Sequence, residues 1–187
     1  MRALINEAAV TEITHGEFLD LQKSQLLHDQ LYHPDILALR VHERTVHYTL
    51  HYAKYAARLL EAANEDDLEL GRATLIDAII ITLAFCNMLN MRFEVSRKTY
   101  PVNVDFLKSV YKFVALSGKF AKTTESIDHL ENMNFRAELE AHLSSLCKII
   151  DELCCILKVD VVRDVRTRLD QVEKKSIFYS NSIRNKP

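Results

Sequence analysis

Apolar and polar positions along this chain follow helical rather than strand periodicity over long stretches. Between Thr14 and Tyr32, the residues Phe18, Leu19, Leu21, Leu26, Leu27 and Leu31 give an apolar stripe, which predicts a first helix. Pro34 interrupts it, and Asp35 is suited to cap a helix beyond it. Arg40 to Asn64 reads as a second long helix, with Val46, Leu50, Ala53, Ala57 and Leu60 at three- and four-residue steps. Asn64 to Asp67 is a turn whose acidic residues favour the N-terminus of a third helix, Leu68 to Asn90. That helix is apolar nearly all round, the signature of the centre of a bundle. Met91 to Asn103, which contains Pro101, reads as a linker. A fourth helix is expected at Val104 to Thr124, a polar connection at Ser126 to Phe135, and a fifth helix at Arg136 to Leu157. Asp160 is placed to cap a last helix running to about Phe178. The polar tail, Ser180 to Pro187, reads as frayed.

Composition sharpens this picture. Only three Gly and three Pro occur in 187 residues, too few for the many turns of an all-β fold. With 48% hydrophobic residues the chain has enough apolar surface for a core. The expectation is a single all-α domain, residues 1–187. Two pseudo-repeat halves are suggested at 15–91 and 104–179. Lys54 to Arg58 would match Ala115 to Lys119, and Leu75 to Met91 would match Leu143 to Val159.

The net charge of −2 argues against a nucleic-acid partner, since such binding rests on a basic excess. Met1 to Val10 carries an early charge and no sustained apolar run, unlike a secretory signal. Leu75 to Met91 holds Asp77, Thr82, Asn87 and Asn90, so it reads as a buried helix rather than a membrane span. The four cysteines, Cys86, Cys147, Cys154 and Cys155, lack metal-type spacing and read as reduced core thiols. Together these features point to a cytoplasmic protein.

The segment Leu153 to Asp160, followed by Val161, Val162, Val165, Arg168, Leu169, Val172, Glu173, Lys174 and Lys175, resembles the closing portion of MazG-like all-α nucleoside triphosphate pyrophosphohydrolases. Ala73 to Met91 resembles the second core helix of that family, where an Asp precedes a long apolar run; Asp77 takes that place. The resemblance implies a helical bundle, a homodimer, and Mg²⁺ held by carboxylates on two facing helices. Helical spacing of three or four puts such carboxylates on one face. The metal would then neutralise the phosphates and activate water. This chain departs from the acidic motifs. The first reads Lys54, Tyr55, Arg58 in one half and Ala115, Leu116, Lys119 in the other. The second reads Thr74 and Asp77, or His142 and Ser145. One carboxylate does not build a Mg²⁺ site. The substitutions suggest instead that Lys54 and Arg58 lie near Asp77, as a structural ion pair or an anion pocket.

Other groupings carry chemistry of their own. Eight histidines are present. His47 and His51 are one helical turn apart, the spacing of metal ligands on a helix. His42 is on the same helix, and His28 and His33 near Pro34 are placed to join them. The competing reading is a polar face with Tyr48, Tyr52 and Tyr55 interleaved. Glu17 and Asp20 are three apart, as are Asp66 and Glu69. Acidic first turns also simply suit the helix dipole. Arg163, Arg166, Arg168, Lys174 and Lys175 alternate with Asp164, Asp170 and Glu173, which reads as a solvated face with internal ion pairs.

Three functions are expected on these grounds. The first is a catalytically degenerate MazG-like module that binds a nucleotide or other anion, or a partner protein. The second is a divergent Mg²⁺-dependent pyrophosphohydrolase using Glu17, Asp20, Glu43 and Asp77. The third is a His-rich metal-binding bundle centred on His47 and His51.

Overall fold

The structure is a computed structural model that describes residues 15–95, 105–177 and 179. Among these residues there are seven helices and no strand: α1 (His15–Tyr32), α2 (Pro34–Ala38), α3 (Val41–Asn64), α4 (Leu68–Leu89), α5 (Phe106–Asp128), α6 (Phe135–Leu157) and α7 (Val161–Glu173). The fold is the expected all-α bundle. The later part of the Met91 to Asn103 segment, Phe178, the tail and the N-terminal decapeptide lie outside the described residues.

The helix ends follow from local chemistry. Asp67, Asp105, Asn134 and Asp160 are N-caps whose side chains accept from the backbone N–H three residues on. Glu43 accepts from the Arg40 N–H at 2.8 Å, which supplies half of a capping box on α3, since the Arg40 guanidinium cannot accept the return bond. Asp35 is not a cap: His33 holds that position, and Pro34 opens α2. Helix α5 extends to Asp128, past the expected stop at Thr124, and α7 ends at Glu173 rather than near Phe178.

Helices α3, α4, α5 and α6 form the body, with α3 against α4 and α5, and α6 against α4 and α5. Helix α4 is long and apolar enough to cross a membrane by length and composition alone, with a mean hydropathy of 1.6. In the bundle it lies against α1, α3, α6 and α7, the central place its sequence predicts. The core is aromatic where α3, α4 and α5 meet. Tilted ring pairs form between Tyr48 and Phe85 at 5.1 Å, Tyr52 and Phe120 at 4.9 Å, and Phe85 and Phe120 at 5.7 Å. The Tyr52 hydroxyl is satisfied by donating to Thr82 Oγ1 at 3.2 Å. Cys86, Cys147 and Cys154 are buried as expected, whereas Cys155 is exposed.

Two helices turn the other way from their apparent stripes. On α3 the buried residues are Thr45, Tyr48, Thr49, Tyr52, Tyr55, Ala56, Leu59 and Ala62, while Leu50, Ala53 and Ala57 face outward. The tyrosines bury far more area than the alanines they displace. On α1, Phe18 and Leu21 are buried, but so are Gln22, Gln25 and His28; Leu19, Leu26, Leu27 and Leu31 are exposed. The start of the expected linker also belongs to the core. Phe93 is buried against Phe18, ring to ring at 5.8 Å, and its N–H donates to Gln22 Oε1 at 2.8 Å.

Gly118 is an exposed helix-interior glycine, and a Cβ there meets nothing within 4 Å. Gly118→Ala is therefore expected to stabilise the fold by about 0.5–1 kcal/mol, through backbone entropy and helix propensity. Urea unfolding measures it, and an unchanged or lower midpoint contradicts it.

Candidate metal centre

The polar inward face of α1 has a purpose in the packing. Gln22 Nε2 donates to Asn87 Oδ1 at 3.0 Å and to the Met91 carbonyl at 2.9 Å. Asn87 Nδ2 in turn donates to the Gln22 carbonyl and to Gln25 Oε1, each at 3.0 Å. Gln25 Nε2 then donates to Asp29 Oδ2 at 2.6 Å. This relay fixes α1 on the C-terminal end of α4 and ends on a carboxylate.

That carboxylate faces a cavity of about 370 Å³ between α1, α2, α3, α4 and α7. Its polar wall holds His28, Asp29, His33, His47 and His51, and its apolar wall includes Ile36, Ile80, Ile81, Leu169 and Val172. His28 is 7% exposed, and neither of its ring nitrogens has a hydrogen-bond partner. Its Nδ1 is 3.7 Å from Asp29 Oδ1, beyond hydrogen-bonding distance. One ligand atom from each of His28, Asp29 and His33 lies within 4.8 Å of the other two. His33 is the N-cap residue of α2 and makes no side-chain capping bond. The Tyr48 phenol is pushed up to about 12, first by burial and then by the nearby Asp29 charge, so it stays protonated.

His47 and His51 are on the facing helix, with ring centroids 4.7 Å apart. Burial is the main cause that lowers both below the ordinary histidine value. His51 falls to about 4, helped by the Lys54 ammonium and by His47. Lys54 Nζ is 3.2 Å from His51 Nδ1, and an ammonium can only donate. His51 Nδ1 is thus an acceptor, and the neutral ring carries its proton on Nε2. This contact engages one nitrogen of His51 and does not touch His47, whereas both ring nitrogens of His28 in the α1–α2 corner lack a hydrogen-bond partner.

This places a pH dependence on the fold. An unfolded histidine titrates near 6.5, so below that pH the unfolded chain takes up a proton that folded His51 refuses. Stability is full above about pH 6.5 and falls as pH drops toward about 4. In the presence of a chelator, the melting temperature is expected to decline across that window, with a shallower slope in His51→Gln. Equal slopes for the two proteins contradict the assignment.

Asp77 is paired, but with a residue other than those expected. Arg168 of α7 donates to it twice, Nε to Oδ1 at 2.7 Å and Nη2 to Oδ2 at 3.2 Å. Lys54 lies beside His51 and over the Tyr55 ring, at 4.6 Å from the centroid, where it feels the charges of Asp77 and Arg58 without pairing directly with Asp77. The guanidinium of Arg168 reaches Asp77 because α7 packs on α4, a contact invisible in helical spacing along one chain segment. A second tie joins the same helices. Arg72 of α4 pairs with Asp164 of α7 and donates to the carbonyls of Leu157, at 3.1 Å, and Lys158, at 2.5 Å. So the mixed-charge face of α7 is only partly a solvated surface. The other acidic candidates are not gathered with Asp77. Glu17 and Asp20 are exposed on α1, with Asp20 paired to Lys23 at 3.4 Å, and Glu43 is the exposed cap of α3. His42 is paired with Asp128 of α5 at 2.9 Å. No family model, curated protein or solved structure matches the chain.

Proposed function

We propose that this protein binds a divalent transition-metal ion in the α1–α2 corner of the pocket, with His28, Asp29 and His33 as ligands. The observation that carries the reading is His28, a buried imidazole with both nitrogens unpartnered. Leaving such a group unsatisfied costs about 1–3 kcal/mol, which a metal bond removes. Ligands at about 2.1 Å from one tetrahedral ion lie about 3.4 Å apart, so a cluster whose ligand atoms lie within 4.8 Å of one another closes by up to about 1.4 Å on binding.

The charge of the pocket supports a cation. Asp29 and Asp35 line it, Asp77 is already matched by Arg168, and His47 and His51 favour their neutral forms. An anion held by Lys54 and Arg58 finds less support, because Lys54 is exposed beside His51. The donor set also selects the metal class. Imidazoles suit zinc, iron, cobalt or nickel, whereas Mg²⁺ prefers oxygen ligands. On this reading the chain is a helical module in which imidazoles, not an acidic motif, hold the metal. Gln25 is the outer partner that orients Asp29, as is usual around metal-bound groups.

A ligand that binds only the folded state raises its melting temperature. Zn²⁺ or Co²⁺ added to chelator-treated protein is expected to raise it, with Mg²⁺ giving little. A rise with Mg²⁺ and a nucleotide, but with neither transition metal, would instead favour the pyrophosphohydrolase reading.

A further inference from the structure

The cluster offers three protein ligands at the end of a cavity, one fewer than a closed site requires. Structural zinc sites are closed by four protein ligands, whereas sites that react or exchange keep a position open. A corner of two imidazoles and one carboxylate leaves such a position on zinc, cobalt or iron. Here the space beside the cluster is the cavity of about 370 Å³. It is large enough for a small organic molecule, at the low end of the usual range for ligand sites. The cavity is also lined by the aliphatic side chains of Ile36, Ile80, Ile81, Leu169 and Val172, beside the Asp77–Arg168 pair. A purely polar ligand gains nothing from those aliphatic groups. A molecule with an oxygen-donor head and an aliphatic tail meets both kinds of lining.

We propose that the metal at His28, Asp29 and His33 keeps an exchangeable coordination position open to the cavity, and that the site takes aliphatic compounds bearing a metal-binding oxygen head group such as a carboxylate or hydroxamate. The head displaces metal-bound water, and the tail lies along Ile80, Ile81 and Val172. No covalent change in the ligand is implied. This inference rests on the metal reading above.

The test uses the full chain loaded with Co²⁺, whose visible absorption reports coordination, titrated with acetohydroxamate, butyrohydroxamate and hexanohydroxamate. Each is expected to shift the absorption band. Affinity is expected to rise about threefold to fourfold per added methylene, the gain for burying one such group. Ile81→Asn, at a position that is not a metal ligand, is expected to take up Co²⁺ and to lose most of the chain-length gain in hydroxamate affinity. Failure to take up Co²⁺ overturns the metal reading itself. Co²⁺ uptake with a band unmoved by any hydroxamate shows a closed coordination sphere and overturns the present inference alone. A band that shifts with no dependence on chain length, in a protein that binds Co²⁺, overturns the assignment of the cavity as the ligand site.

Discussion

Asp77→Asn is expected to lower stability by about 2–3 kcal/mol, measured as a lower urea midpoint. The reason is the guanidinium it leaves behind. Arg168 makes two charge-assisted hydrogen bonds to Asp77, and the side chains are 32% and 18% exposed respectively. Breaking one half of a fully buried pair costs about 3–5 kcal/mol, and the partial exposure here calls for the lower figure. For a chain of this size that is about 5–10 °C in melting temperature. Replacing both partners, Asp77→Leu with Arg168→Met, removes charge from both helices together and is expected to recover most of the loss. The loss should fall short of full unfolding, because Arg72 still ties α4 to Asp164, one turn from Arg168 on α7. A single variant within about 0.5 kcal/mol of the parent, by the usual scale for surface changes, contradicts a structural role for the pair.

His28→Leu is expected to act in two opposite directions. Without metal it should stabilise the fold by about 1 kcal/mol, because an apolar side chain of similar reach replaces an imidazole with no hydrogen-bond partner. With metal it should lose at least about 100-fold in affinity, more than the loss usual for an outer-sphere partner such as Gln25. The combination is informative because a merely structural histidine would destabilise on removal. Calorimetric melting in chelator gives the first effect, and competition against a chromophoric chelator gives the second. A variant that is less stable without metal, or that keeps the parent affinity, sinks the assignment of His28 as a ligand.

Helix positions were legible from local chemistry. Asp67, Asp160 and the apolar run after Leu68 mark ends and centre by interactions within a few residues. Which way a helix faces was less legible, and for a common reason. On α1 and α3, the aliphatic residues at helical spacing suggested the inner face. The structure buries Gln22, Gln25, Tyr48 and Tyr52 there instead, because each finds a partner on another helix. Gln22 meets Asn87 65 positions away, and Tyr52 meets Thr82 30 positions away. Such pairings are set by packing and leave no periodic trace.

The candidate site was legible in part. The histidines near Pro34 and on α3 were visible as a group, and the cavity gathers His28, His33, His47 and His51, while His42 pairs with Asp128. The spacing of His47 and His51 points to that pair as ligands, whereas the geometry favours the α1–α2 corner. The nearby Lys54 that quenches the lone pair of His51 is a close sequence neighbour, so the signal was present but needed tautomer reasoning. The partner of Asp77 was hidden for the same reason as the α1 relay: Arg168 lies 91 positions away.

Calorimetric titration of the chelator-treated full chain with Zn²⁺, run beside His28→Leu, tests the central claim most directly. Metal binding at the α1–α2 corner predicts one saturable site per chain in the parent and none of comparable strength in the variant. Equal heats and equal affinity in the two proteins, or no binding by the parent, would contradict it.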